Sequence, residues 1–65
     1  MKAFLISATL STGGPITIDA SKIAYLHPVE EEGKRGTLIG FAGSAWIKTA
    51  DSYEVMLKRW RDALS

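Results

Sequence analysis

The sequence predicts a mainly β, α+β fold, in which a small antiparallel sheet of about five strands carries one C-terminal amphipathic helix. Two patterns indicate this. Up to residue 49, short stretches rich in β-branched and aromatic residues alternate with turns that contain glycine, proline, aspartate or serine. Beyond residue 50, apolar residues recur at helical spacing instead. A chain of 65 residues has room for a single domain, residues 1–65.

The predicted strands follow one another through short turns and are therefore expected to pair antiparallel. They are expected at residues 2–10, 16–19, 23–29, 37–43 and 45–49. The turn after the second strand begins at Asp19, whose side chain can bond a neighbouring backbone amide. Pro28 cannot donate to a ladder, which places it at a sheet edge or at the exit of the third strand. A polar loop is predicted at residues 30–36.

Alternation along the third strand predicts two faces. One face is expected to hold Ile23, Tyr25, His27 and Val29. In the fifth strand the same rule puts Trp46 and Lys48 on one face.

The C-terminal helix is the clearest element of the sequence. Asp51 is expected to cap its N-terminus, and Glu54, three residues later, to complete a capping box. Lys58 is spaced to pair with both Glu54 and Asp62 at i,i+4. The apolar stripe consists of Tyr53, Met56, Leu57, Trp60 and Leu64. One such stripe covers one face of a sheet and leaves the other face uncovered.

Composition excludes several classes of protein. Cysteine is absent, so the chain has neither a disulfide framework nor a thiolate metal site. The single histidine, His27, excludes a multi-histidine metal site, and we expect no metal and no cofactor. A chain this short has a marginal core, and small domains without disulfides or metals often gain stability by oligomerisation. We therefore expect a homo-oligomer, with the uncovered sheet face as the reason for association.

Catalytic residues are not expected. His27 and one carboxylate of residues 30–32 are the available acid–base pair, but three consecutive glutamates beside a glycine are typical of a solvated loop. The serines lack the surroundings of a nucleophile elbow. The sequence therefore predicts a binding or assembly module and not an enzyme.

Aromatic and basic residues form the candidate binding set. Aromatic rings can stack on a base while neighbouring cations neutralise its phosphates. The alternative is that the aromatic residues belong to the core or to a subunit interface. The candidate ligand-binding residues are Tyr25, His27, Lys34, Arg35, Trp46 and Lys48.

Three segments carry a resemblance to a known family. They are I-T-I-D-A-S-K-I at residues 16–23, T-L-I-G-F-A-G at residues 37–43 and I-K-T-A-D-S-Y-E-V at residues 47–55. This pattern resembles the FlbD family of short flagellar and swarming accessory proteins, together with small phage and bacterial proteins of similar pattern. The loop at residues 32–36 is longer than the family's, and His27, Trp46 and Trp60 depart from it.

Three functions follow as hypotheses. The first is a phage- or mobile-element-like module that sequesters a small anionic, nucleotide-type signalling ligand at a subunit interface and so counters host defence. The second, implied by the resemblance, is an FlbD-like regulatory module that binds a protein. The third is a CsrA-like RNA-binding regulator, which a net charge of +1 disfavours. The sequence has no apolar run of the roughly 20 residues that span a bilayer, and we expect a cytoplasmic protein, in the host cytoplasm if phage-encoded.

Overall fold

The structure is a computed structural model that describes residues 4–65. It is a small, mainly β fold with five strands and one C-terminal helix, as predicted. Residues 2 and 3 of the predicted first strand lie outside the described residues. The elements are β1 (Leu5–Thr9), β2 (Pro15–Asp19), a 3-10 turn (Ala20–Lys22), β3 (Ile23–Glu31), β4 (Lys34–Phe41), β5 (Trp46–Thr49) and α1 (Tyr53–Leu64).

The strands form two antiparallel sheets where the sequence predicts one. β1 pairs with β2, and β4 lies between β3 and β5. The chain turns a corner between β2 and β3, because the 3-10 turn separates these strands and they do not pair. The two sheets meet at a bridge between Leu10 and Thr49, which is flanked by a hydrogen bond of 3.0 Å from the Ser11 N–H to the Lys48 carbonyl.

The 3-10 turn is held by Asp19, as its position in the sequence predicts. Its Oδ1 accepts hydrogen bonds from the Ser21 N–H at 2.9 Å and from the Ser21 hydroxyl at 2.6 Å. The Ser21 bonds hold the pKa of the Asp19 carboxyl below its ordinary value, because they favour the ionised form.

The β3–β4 hairpin is longer than the sequence predicts. Both strands extend into the predicted polar loop, so that only Glu32 and Gly33 form the turn. Both residues have positive φ, +52° and +77°, which is the conformation of a type I′ turn. This turn matches the right-handed twist of the paired strands, and glycine and asparagine adopt it more readily than glutamate.

Because of a bulge near the start of β3, Ile23 does not share a face with Tyr25 and His27 as predicted. The register with β4 shifts between Ile23 and Tyr25. As a result Ile23 is buried in the core and Leu26 packs against it, whereas Tyr25 and His27 are exposed. The extra residue of a bulge breaks simple alternation, which is why spacing alone grouped Ile23 with Tyr25. β3 is an edge strand of its sheet, in agreement with the position of Pro28.

The core lies between α1 and the two sheets. Its buried apolar side chains are Ile6, Ala8, Ile18, Ala20, Ile23, Ile39 and Met56. Trp60 packs against this cluster and donates its indole N–H to the Ala20 carbonyl at 3.2 Å. Ala63 also packs on the core, whereas Leu64 of the predicted stripe is 47% exposed. The core-facing line of α1 therefore runs through Met56, Trp60 and Ala63.

The start of α1 differs from the prediction. Ser52 is the N-cap, and its hydroxyl accepts the Val55 N–H at 3.3 Å, so the predicted capping by Asp51 is wrong. Asp51 precedes the cap and reaches the end of β1, where its Oδ2 accepts the Thr9 N–H at 2.8 Å. Its Oδ1 accepts from the Arg59 guanidinium at 3.3 Å. The backbone of this position is also held, because the buried Thr37 hydroxyl donates to the Asp51 carbonyl at 2.8 Å.

The charges on α1 follow the predicted spacing in part. Lys58 pairs with Asp62 at 2.8 Å, and this bond lowers the pKa of the Asp62 carboxyl. The predicted pair of Lys58 with Glu54 does not form within the described residues. In residues 4–65, no helix combines the length and the apolar character that crossing a membrane requires.

The turn geometry predicts that Glu32→Asn stabilises the protein. Asparagine tolerates the left-handed conformation that costs other residues roughly 1–2 kcal/mol. We expect the free energy of unfolding to rise by up to about 1 kcal/mol in a urea titration. Glu32→Gln is the matched control, since it removes the same charge without favouring positive φ. Equal stability of the two variants would contradict the turn assignment.

The contacts of Asp51 predict that Asp51→Ala destabilises the fold. It removes a hydrogen bond to a carboxylate whose side chain is only 17% exposed. We expect a loss of about 1.5–3 kcal/mol by thermal or urea unfolding, the usual range for hydrogen bonds to charged groups. Asp62→Ala removes an ion pair at the open surface and should change little. If the two variants lose similar stability, Asp51 does not join β1 to the helix as described.

Candidate functional site

The side of the three-stranded sheet that faces away from α1 is its outer face. Alternation and register place on it Tyr25, His27, Val29 and Glu31 of β3, Lys34, Gly36, Leu38 and Gly40 of β4, and Trp46 and Lys48 of β5. The inner face of the same strands carries the buried Thr37, Ile39 and Thr49. Five of the six predicted ligand-binding residues lie on the outer face. The structure therefore brings most of the candidate set together on one surface.

An aromatic row crosses one end of the outer face. Tyr25 and Trp46 are the neighbours of Gly40 on its two sides in the sheet. The Tyr25 ring lies directly over Gly40, where it occupies the space that a Cβ atom would take. Tyr25 is 47% and Trp46 55% exposed. Because Gly40 has no side chain, the Tyr25 ring fills the middle of the row beside Trp46, and the two exposed rings offer a ligand an aromatic surface.

A basic row follows next to the aromatic row. His27 and Lys48 lie on the two sides of Leu38 in the paired strands. The Lys48 ammonium lies 6.0 Å from the centre of the Trp46 ring, at the limit of a cation–π interaction. The same ammonium forms an ion pair and hydrogen bond with Glu31. The positive charge of Lys48 therefore lies beside the aromatic row, and the Glu31 carboxylate on the same face balances it.

A hollow of about 540 Å³ lies at the opposite end of the outer face. Gly36 lies in its floor, and Val29, Glu31, Lys34 and Lys48 contribute to its lining. A Cβ atom at Gly36 would overlap the Thr49 carbonyl oxygen, so this position requires glycine for the backbone of β5 to pass so close. The lining of the hollow includes two lysines, Lys34 and Lys48, and two acidic residues, Glu31 and Glu32.

Arg35 is the predicted site residue that the structure separates from the others. It lies between Lys34 and Gly36 and borders the hollow, but alternation directs its side chain to the inner face. Its Nε pairs with the Glu30 carboxylate at 3.5 Å, and both side chains are largely exposed. Arg35 therefore does not share a surface with Tyr25 and Trp46.

Sequence reasoning missed three residues of this surface. Glu31 is the partner of Lys48. This pair was not expected, because Glu31 was predicted to lie in a solvated loop. Gly36 and Gly40 leave room for the β5 backbone and for the Tyr25 ring. Their signal was available, because they occur four residues apart with Leu38 between them and so share one face of a strand. The contacts between residues distant in sequence depended on the hairpin register, which the sequence did not fix.

The outer face offers chemistry for binding. Exposed aromatic rings can stack on a planar group, and ammonium groups can pair with phosphate or carboxylate. Glu30, Glu31 and Glu32 do not converge on His27 as an acid–base site, since Glu30 and Glu31 pair with Arg35 and Lys48 and Glu32 lies in the turn. In the described part of the chain, no three metal-ligating side chains lie together.

Comparisons with known proteins do not extend this description. No family model matches the chain, and no curated protein and no solved structure shows significant similarity to it. The FlbD resemblance stays a prediction from the sequence.

The two glycines of the outer face predict different effects of alanine. Gly36→Ala pushes a methyl group against the backbone of β5, and we expect a loss of about 1–3 kcal/mol, as for other overpacked sites. Gly40→Ala meets only the Tyr25 ring, which can swing into solvent, and should cost less. Urea unfolding of both variants measures the difference. A Gly40→Ala variant less stable than Gly36→Ala would contradict these contacts.

Proposed function

We propose that this protein is a non-enzymatic binding module that holds a small anionic ligand of nucleotide type on the outer face. The observation that supports this is the aromatic row of Tyr25, Gly40 and Trp46 with Lys48 beside it. Stacking on aromatic side chains contributes about 1–3 kcal/mol per base and tolerates every base. The outer face supplies both an aromatic surface and a cation for one nucleotide.

The spacing of the rows suits a base and its phosphate. Side chains two residues apart on a strand lie about 7 Å from each other, so Lys48 is one row away from the plane of stacking. Lys34 lies three rows from Gly40, about 20 Å along β4. A single nucleotide bound on the aromatic row therefore reaches Lys48 first. Lys34 serves a ligand with more than one phosphate-bearing unit.

Glu31 limits how strongly Lys48 can bind a phosphate group. Its carboxylate occupies Lys48 when no ligand is bound, and an incoming phosphate must displace it. Because the charge of the outer face is balanced, a compact ligand that gains from stacking is favoured. A long polyanion, whose binding depends on many cations, is disfavoured. The same balance weighs against the RNA-binding alternative.

Sequestration of a signalling ligand, the role expected from the sequence, also needs the ligand to be enclosed. The hollow above Gly36 is open on one side. A second copy laid over the outer face would close it, which is the subunit-interface site predicted from the sequence. This part of the proposal requires that a bound nucleotide promotes association of two chains through the outer face. Enclosing a signalling nucleotide in this way would remove it from solution and so counter host defence.

The proposal is tested by calorimetric titration of the native protein with adenosine and guanosine monophosphates and with linear and cyclic dinucleotides. We expect Trp46→Ala to weaken binding by about 1–3 kcal/mol. Trp46→Phe is the matched control, because it keeps a ring for stacking. Lys48→Ala should also weaken binding, with the fold unchanged by circular dichroism.

Glu31→Gln gives the most specific result. It removes the internal partner of Lys48 and should strengthen nucleotide binding, an effect that a purely structural role of this pair would not produce. If none of these nucleotides binds the native protein, or if Trp46→Ala binds as well as the native chain, the proposal is wrong.

A further inference from the structure

A second line of apolar residues on α1 shares Trp60 with the core-facing line. It consists of Tyr53, Leu57, Trp60 and Leu64, of which Trp60 also packs on the core of its own chain. Tyr53, Leu57 and Trp60 are half-buried, and Leu64 is 47% exposed. Leu57, Trp60 and Leu64, together with Arg61, line a groove of about 350 Å³ along the helix. We call this surface the helix seam.

The helix seam has the spacing of a coiled coil. Its residues follow one another at intervals of four, three and four, which is the repeat of the a and d positions. In this repeat Met56 and Ala63 fall on one flank, and both pack into the core of their own chain. Glu54 and Arg61 fall together on the other flank and are exposed. The seam therefore has one flank that packs in the core of its own chain. The other flank, which we call the free flank, is exposed, and at its start Glu54 lies beside the β3–β4 hairpin, where it lines a pocket with Pro28 and Arg35.

The charges of the free flank are self-complementary. Glu54 lies near the start and Arg61 near the end of α1, one heptad apart. Neither makes a salt bridge among the described residues. When two such helices lie antiparallel about a twofold axis near Leu57, Glu54 of each chain faces Arg61 of the other. Opposite charges on the flanks of a coiled coil select partner and orientation.

From this self-complementarity we infer that the helix seam is a dimer interface, at which α1 packs antiparallel against α1 of a second copy of this chain. A twofold interface requires one patch that complements itself, and the seam meets this requirement in both its apolar line and its charges. A helix of 12 residues spans about 18 Å, so the buried area is small. The dimer is expected to be weak and to form as concentration rises.

This inference does not depend on the proposed function. α1 lies on the inner side of the three-stranded sheet, so the helix seam and the outer face are separate surfaces. Dimerisation through α1 needs no ligand and should be unaffected by Trp46→Ala. A nucleotide can fail to bind while the helix dimer still forms, and the reverse also holds.

Sedimentation velocity of the native chain over a wide concentration range tests the inference. We expect a shift from the 7.1 kDa monomer to a dimer as concentration increases. Leu57→Ala should weaken dimerisation at least tenfold. Val55→Ala is the matched control, since Val55 is 41% exposed on the opposite side of the helix and should leave the dimer unchanged.

Charge reversal provides the decisive comparison. Glu54→Arg and Arg61→Glu each bring like charges together twice across the twofold axis, and each should weaken the dimer at least tenfold. The double variant restores opposite charges and should restore dimerisation. Both changes are unfavourable to the helix macrodipole, so the recovery cannot come from a more stable helix. A native chain that stays monomeric throughout, or a double variant no better than the single ones, overturns the inference.

Discussion

The rest of the structure depends on the short link between β5 and α1. The Asp51 carboxylate accepts a hydrogen bond from the Thr9 N–H at the end of β1, and the Asp51 carbonyl accepts one from the hydroxyl of the buried Thr37 of β4. Arg59, one helical turn and a half along α1, donates both to Asp51 and to the Ser7 carbonyl of β1. Within residues 4–65, the two sheets share one bridge and the backbone hydrogen bonds on either side of it, and the contacts of Asp51 tie both sheets to the helix at the same place. Since few apolar residues are fully buried, these directed bonds fix an arrangement that a small core would leave loose.

The outer face follows from the same arrangement. With α1 held on the inner side, the opposite side of β3, β4 and β5 leaves Tyr25, His27 and Trp46 exposed. Glycine at positions 36 and 40 then leaves room on this side, in one case for the β5 backbone and in the other for the Tyr25 ring. An aromatic row at one end and a charged hollow at the other are consequences of strand register. The residues of the two sites lie far apart in the sequence, and only the pairing of β3, β4 and β5 brings them close together.

The three-stranded sheet carries its basic residues mainly beside acidic ones, so that little net charge accumulates on it. Lys48 pairs with Glu31 on the outer face, and Arg35 pairs with Glu30 on the inner face, so the hairpin that carries most of the basic residues of the sheet is close to neutral. A ligand of the kind we propose would therefore have to gain from stacking as well as from charge. The apolar helix seam carries one acidic and one basic residue on its free flank and is neutral in the same way. Neither surface has the clustered positive charge on which binding of a polyanion depends.

The sequence by itself determined the class of fold, the existence of five strands and a C-terminal helix, the turn at Asp19 and the edge position of the strand that contains Pro28, because each depends on local spacing or on the chemistry of one residue. It did not determine the division into two sheets, the bulge after Ile23, the length of the β3–β4 hairpin or the cap of α1. Asp51 shows the reason: Asp51 and Ser52 are both competent caps, and the choice depended on Thr9 and Arg59, which lie 42 and 8 residues away. The same applies to the site. The sequence put Tyr25, His27, Lys34, Arg35, Trp46 and Lys48 into one candidate set. Only the paired register showed that Arg35 lies on the other face and that Glu31 pairs with Lys48, because side-chain direction and partners in a sheet are set by the neighbouring strands.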